Sequence, residues 1–391
     1  MKKLFGFFAL AAAGVLALSS CGKSNDESLK VGFIFLHDNS SSYDKNFMDA
    51  ATDVCKELGV KAVMKSNVAE GTECQEVAED LADSGCDIVF ADSFGHEPYL
   101  LAAAKKYPDV QFCHATGTMA HTANQSNLHN AFASIYEGRY CTGIAAGMKL
   151  NEMINNGTIT ADQAVLGYVG AYTYAEVISG YTSFYLGAKS VCPSVTMKVK
   201  FTGSWYDLNE EKEVCNALIS AGCKVISQHA DSAGAPSACE EAGVPNVFYN
   251  GENKNLNTYL ISSRIDWRPY FRYIINQVKD GKTILTDYVG DFTTGSVEVY
   301  AASSLAASGT QAAIDAAIAS FKAGTLDVFD TTKFTVEGAH LTEYRADVNT
   351  DANYEKDTQV ITNNVFKESF YRSAPYFDIT IDGIELLNSK F

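Results

Sequence analysis

The chain has 391 residues, 47% of them hydrophobic and 12% aromatic, which is enough to fill two cores and excludes disorder as its general state. Its 47 acidic residues outnumber 30 basic ones, for a formal charge of −17, a balance that excludes nucleic-acid phosphates as a partner and favours solubility. Ten cysteines fall at 21, 55, 74, 86, 113, 141, 192, 215, 223 and 239. With no CxxC and no His/Cys cluster of metal-ligand spacing they give no zinc site, and neither metal nor cofactor is expected. Most stand where small apolar residues belong, as Cys86 does before Asp87-Ile88-Val89, and read as buried free thiols; one or two disulfides stay open and unassigned.

Lys2 and Lys3, the apolar run Leu4 to Leu18 and then Ser19-Ser20-Cys21 open the chain; the run is too short to span a bilayer comfortably. Together these residues resemble a bacterial lipoprotein signal. That resemblance implies a cleaved signal peptide over 1–20, a lipid on the Cys21 sulfur and a polar, flexible stalk over 21–28, so that a soluble domain hangs outside the cytoplasm, anchored to the cell membrane.

Beyond the stalk, strand-length apolar runs alternate with helical patterns. Lys30 to Leu36 predicts a strand, Asp44 to Leu58 a helix, Val60 to Lys65 a strand, Glu73 to Ser84 a helix, Asp87 to Ala91 a strand, Glu97 to Tyr107 a helix and Val110 to Ala115 a strand. The rhythm restarts after Glu152. Strands are expected at Ala164 to Gly170, Val195 to Phe201, Lys224 to Gln228 and Asn246 to Tyr249, and helices at Glu176 to Lys189, Glu210 to Ala221 and Gly234 to Ala242. A local echo, Leu81 to Val89 against Leu218 to Ile226, sets Gly85 and Gly222 at the same post between a helix end and a buried strand. The pattern predicts an α/β protein of two doubly wound parallel-sheet lobes joined by a hinge. Lobe 1 is expected over 29–136 plus 262–284 and lobe 2 over 137–261 plus 285–391, with crossovers near Glu137, near Ile261 and beyond Gly281. Tyr288 to Ala301 reads as hairpin-like, the Ala-rich Thr310 to Ala323 as a helix on the second lobe, and Tyr344 to Ile381 as an added edge.

Open parallel sheets bind ligands beyond the carboxyl ends of their strands, so the segments there supply the candidates. After the first strand come Asp38, Asn39 and, on the following helix, Phe47; after the third come Phe94 and Gly95, where glycine permits close backbone approach. The second lobe offers Tyr172, Trp205, Asp231 and Asn250. Trp205 and Trp267 are the chain's two tryptophans. Aromatics beside carboxylates and amides at successive strand ends suit a flat, hydrogen-bonding ring: stacking is worth roughly 1–3 kcal/mol and the polar groups supply discrimination. In this arrangement Asp231 is expected to accept from a ring N–H. For each residue, capping or core packing is the competing structural role.

Ser134-Ile135-Tyr136-Glu137-Gly138-Arg139-Tyr140-Cys141-Thr142-Gly143, with Gly187-Ala188-Lys189, Ser204-Trp205-Tyr206-Asp207 and Gln228-His229-Ala230-Asp231-Ser232, resemble the basic membrane protein family of lipoproteins from about Val31 to Trp267. The resemblance implies a type I periplasmic-binding-protein-like fold and a substrate-binding component of an ABC importer, with permease and ATPase subunits as partners. It brings Tyr136 into the candidate set and a purine nucleobase or nucleoside as cargo. Asp38 with Asp44-Lys45-Asn46-Phe47 stands where the nucleoside receptors carry Asp before Asp-Lys-Ser-Phe-Asn; Asn250-Gly251-Glu252 replaces their Asp-x-Asp, and no counterpart of their sugar-contacting lysine occurs in Ser262 to Trp267. These departures favour an adenine-type base over a nucleoside. A sensing receptor feeding a signalling partner is the alternative, and an enzyme acting on a small heterocycle, with Asp38, Asp231 and His229 as suspects, is a further one; no G-x-S-x-G, P-loop or H-E-x-x-H motif supports catalysis.

Overall fold

The computed structural model describes residues 28–349 and 355–389. The expected signal peptide, the lipidation site Cys21 and the stalk up to residue 27 lie outside the described residues. The chain runs β1 (Lys30–Ile34), α1 (Ser42–Leu58), β2 (Lys61–Lys65), α2 (Thr72–Asp83), β3 (Ile88–Ala91), α3 (Glu97–Lys106), β4 (Gln111–Ala115) and β5 (Leu128–Ala133). It continues through α4 (Ile135–Asn155), β6 (Val165–Gly170), α5 (Ala175–Val191), β7 (Thr196–Phe201), α6 (Leu208–Ser220), β8 (Val225–His229), α7 (Gly234–Ala242), β9 (Asn246–Tyr249) and β10 (Tyr259–Ile265). Then come α8 (Arg268–Lys279), β11 (Asp287–Gly290), β12 (Val297–Val299) and α9 (Thr310–Lys322).

Two sheets result. The first, all parallel, has the order β11-β5-β4-β3-β1-β2. The second has the order β12-β10-β9-β8-β6-β7 and ends on an added edge strand, with only β12 antiparallel. Period-two alternation sends side chains to both faces: Val31 and Phe33 join a core with Phe47 of α1 and Phe271 of α8, while Ile34 joins Leu81 of α2 and Leu100 of α3. In the second sheet Leu166 and Tyr168 pack on α5, and Val169 and Ile226 pack on α6 and α7. Helices on both faces of each sheet make both doubly wound.

Local chemistry sets the element ends. Ser41 caps α1 by accepting from the Asp44 N–H at 3.2 Å, and Asp207 caps α6 by accepting from Asn209 and Glu210 at 3.0 Å each. Gly85 and Gly222 both adopt left-handed φ, +87° and +96°, so the echoed glycines do the same work of turning from a helix into a buried strand. β10 keeps residues through Ile265 in the second sheet although Ser262 and Ser263 are polar; both are fully buried there. Residues 287–290 pair with β5 while 297–299 pair with β10, so the stretch expected as hairpin-like divides between the two sheets instead. Neither half finds its partner in the other because each completes an edge already laid down.

Beyond α9 the chain makes two short ladders, β13 (Arg345–Ala346) with β14 (Thr358–Gln359) and β15 (Ile361–Thr362) with β16 (Val365–Phe366), before β17 (Ile384–Leu386) adds the edge strand beside β7. The added edge therefore lies after Ile381 and not within Tyr344 to Ile381. Among the described residues no helix is long and apolar enough to cross a membrane.

Candidate functional site

A slot runs between the carboxyl ends of the two sheets, with about 410 Å3 of atom-free space counting its open mouth. The first sheet contributes Leu36 and His37 after β1, Tyr43 and Asp44 from the first turn of α1, Ser93 and Phe94 after β3, and Thr116 after β4. Opposite stand Glu176 in the first turn of α5, Trp205 after β7, His229 and Asp231 at the end of β8, and Tyr249 at the end of β9.

The two sides touch. The Ser42 N–H donates to the Asp231 carbonyl at 3.1 Å, Phe94 and Tyr174 hold their rings 5.5 Å apart, and His37 lies 5.4 Å from Tyr206. Tyr172 and Tyr174 stack at 5.2 Å, and both lean on Trp205, at 5.1 and 5.9 Å. Aromatic surface therefore closes the mouth from both sides, and Phe94 is still 42% exposed.

Deeper in, the slot is acidic. Burial works against the Asp44 charge, yet the His37 ring and backbone N–H and the Ser41 hydroxyl, the last at 2.6 Å, hold its carboxyl below the ordinary range. Asp92, fully buried behind it, is pushed well above that range by burial and then by the Asp44 charge. Asp231 behaves like Asp92: burial first, then the charges of Asp44, Glu211 and Glu176, push its carboxyl well above the ordinary range. His229 is pushed down by burial, and its Nε2 lies 3.3 Å from Glu176. Tyr43 donates to the Asp92 carbonyl at 2.9 Å. Thr116 holds a φ of +63°, which a β-branched residue adopts only under constraint, at the point where β4 gives way to the slot.

Of the residues singled out from sequence, Phe94, Trp205 and Asp231 meet in the slot, and Tyr172 buttresses Trp205. Gly95 lies beside Phe94 and gives its N–H to Glu70 at 2.8 Å. Asp38 and Asn39 are exposed, and Asp38 is engaged in its own turn, accepting from Ser40 at 2.9 Å. Phe47 and Trp267 stack on each other at 4.4 Å in the core of the first sheet. Tyr136 packs on Phe329 at 5.2 Å in a second cavity against the C-terminal segment. Asn250 adopts a φ of +57° beside Tyr249 and leaves its buried Oδ1 without a partner. The sequence reading left out Tyr43, Glu176, Thr116 and Tyr249 as ligand residues; each ends a strand, directly follows one or sits in the first turn of the next helix, so the strand-end rule applied evenly would have included them.

Two doubly wound lobes enclosing a polar, aromatic slot are the architecture of the periplasmic-binding-protein type, whose ABC substrate-binding members work outside the cytoplasm and hand small ligands to a permease and its ATPase. The chain belongs to the Bmp family, ABC transporter substrate-binding protein PnrA-like, whose family model matches residues 35–287. It is 33% identical over 263 residues, 66% of this chain and 70% of the relative, to a purine-binding protein of Brucella abortus (strain 2308). A protein of Haloferax volcanii assigned as an ABC transporter glucose-binding protein is 34% identical over 231 residues, 57% of this chain and 54% of that relative. Among solved structures, an ABC transporter solute-binding protein from Conexibacter woesei superposes with a TM-score of 0.62 at 19% identity, covering 76% of this chain and 98% of that one. The family is one of solute-binding proteins, not enzymes.

Proposed function

We propose that the protein captures a purine-type ligand, adenine before its nucleoside, in the slot and delivers it to an ABC importer, held at the membrane by a lipid on Cys21. The observation that carries the reading is the placement of Asp231, a buried carboxyl, among Trp205, Phe94 and Tyr249, where burial and neighbouring charge favour its neutral form. A neutral carboxylic acid presents one donor and one acceptor side by side. That is the complement of the adenine edge, whose ring nitrogen accepts and whose amino group donates; an ionised carboxylate would suit a ring N–H, as in guanine. The aromatic rings supply faces on which a flat base stacks. This moves Asp231 from the pure acceptor expected from sequence to a donor as well.

The Brucella relative's purine ligand favours the same reading, and the Haloferax relative's sugar ligand is its competitor. Sugar hydroxyls are bound best by ionised carboxylates that accept from them, so the raised carboxyl of Asp231 favours a base over a sugar at that position. Mass spectrometry of ligand carried through purification, followed by calorimetric titration with adenine, adenosine, guanine and glucose, tests the reading. Adenine should be retained and bind tightest; a sugar in the eluate, with no purine heat, rejects it. Labelling with radioactive fatty acid in wild type and in Cys21→Ser tests the anchor, and equal labelling of both rejects it.

A further inference from the structure

Next to the slot the fold buries a full positive charge. Arg139, in the second turn of α4, is wholly buried; its Nη1 donates to the Gln228 carbonyl at 2.8 Å, and its Nε and Nη2 have no partner. The guanidinium lies 3.3 Å from the centre of the Tyr249 ring and 5.8 Å from that of Tyr168. A charge so placed is expensive to hold, and the aromatic faces with the Gln228 carbonyl are what offset the lost hydration.

Both of its close partners lead to the slot. Tyr249 is part of the slot wall, with its ring 5.0 Å from that of His229. Gln228 precedes the turn that carries Asp231, and its side-chain amide donates to the carbonyls of Ala230 and Ser232 at 2.8 and 3.1 Å, bracing that turn. The titratable groups around the guanidinium are Tyr249 on β9, Tyr168 on β6, His229 and Asp231 at the end of β8 and Glu176 on α5; the positive charge opposes burial in lowering the Asp231 and Tyr249 pKa values. Arg139 itself does not line the slot.

We propose that Arg139 is a positioning residue for ligand capture: its guanidinium fixes the Tyr249 wall by stacking and the Asp231 turn through Gln228, so affinity depends on a charge the ligand never touches. The inference rests on the slot being the ligand site. It requires the planar guanidinium and not merely a cation, because a flat guanidinium lies face to face on Tyr249 while its edge donates to Gln228, and a tetrahedral ammonium has no such face.

The test is a double-mutant cycle read by calorimetry with adenine on the full chain, with thermal melts to verify folding. Arg139→Lys should lose about tenfold or more in affinity, and adding it to Tyr249→Leu should cost no more than about twofold, since without the ring a lysine is free to keep the remaining hydrogen bond to Gln228. Wild-type affinity in Arg139→Lys, or losses that multiply in the double variant, would overturn the proposal. A second readout needs no ligand: carbon-13 NMR of the Asp231 carboxyl in the unliganded protein should show its titration about half a pH unit or more higher in Arg139→Met than in wild type. An unmoved titration overturns the electrostatic part, and if the methionine variant does not fold, the cycle decides. If wild type fails to bind adenine, the purine reading falls and the NMR comparison still judges Arg139.

Discussion

Asp231 decides what the slot recognises, and its protonation decides how. Because burial and neighbouring charge raise the Asp231 carboxyl above the ordinary range, adenine affinity should fall as pH rises through that raised value, where the donor proton is lost. Asp231→Asn keeps one donor and one acceptor, so adenine should bind within a few-fold of wild type and with a flat pH profile. Asp231→Ala removes both and should cost about ten- to a hundredfold, two hydrogen bonds' worth. Equal losses in Asn and Ala, measured by calorimetry, would show that the side chain does not read the ligand edge. Trp205→Ala should lose at least about tenfold by removing a stacking face while far-ultraviolet circular dichroism stays unchanged; undiminished affinity would make Trp205 a packing residue for Tyr172 and Tyr174. Phe47 and Tyr43 mark where sequence reasoning stops at this scale. They are four residues apart on α1 and share a face, so spacing alone cannot choose between them. Trp267, arriving from the other end of the first lobe, stacks on Phe47 and leaves Tyr43 to the slot.

Among the elements, β1 to β4, β6 to β9 and the helices between consecutive members of each run were legible because their periods are clear and their glycine stops stand out; β5, β10 and α8 were not singled out. Nor was α4: its first half is buried on nearly every side, so no amphipathic period shows there, and Gly138, Gly143 and Gly147 fall within it. Their reason is contact. A Cβ at Gly143 would lie 2.0 Å from the Phe184 carbonyl oxygen and one at Gly187 2.0 Å from the Tyr140 carbonyl oxygen, so α4 and α5 cross with their backbones touching. The family-like glycine motif is thus a helix-packing device next to the hinge. Gly187→Ala should destabilise the protein by about 2–3 kcal/mol or more, since backbone must move to admit the methyl; a melting temperature equal to wild type would contradict that packing. The two-residue ladders of the C-terminal segment were invisible for the opposite reason, being too short to carry any period.

At the scale of the whole molecule, the contacts between Ser42 and Asp231, His37 and Tyr206, and Phe94 and Tyr174 describe a closed arrangement, and the chain reaches it by passing three times between the sheets. Glu137 stands where two of those passages meet: at the start of α4 it accepts from the Phe292 N–H, and burial followed by the Asp291 charge pushes its carboxyl up to about 8. Glu211 and Glu368 are likewise raised to about 7, chiefly by burial. A carboxyl whose folded pKa exceeds its unfolded value contributes stability that is complete below the unfolded value and is lost as pH rises through the folded one. His96, His114 and His129, lowered by burial to about 4, act in the opposite sense and lose their contribution as pH falls from about 6.5. Above about pH 6.5 the raised carboxyls still change, and His121, held above its ordinary value by Asp287, loses its contribution in the same direction, so unfolding free energy should decline from there toward about pH 8. Glu137→Gln removes the largest of the three shifts while keeping an acceptor for Phe292, and urea melts across this range should show a shallower decline than in wild type. An equally steep decline in the variant would mean that the Glu137 carboxyl is already solvated at the crossing and does not charge with the fold intact.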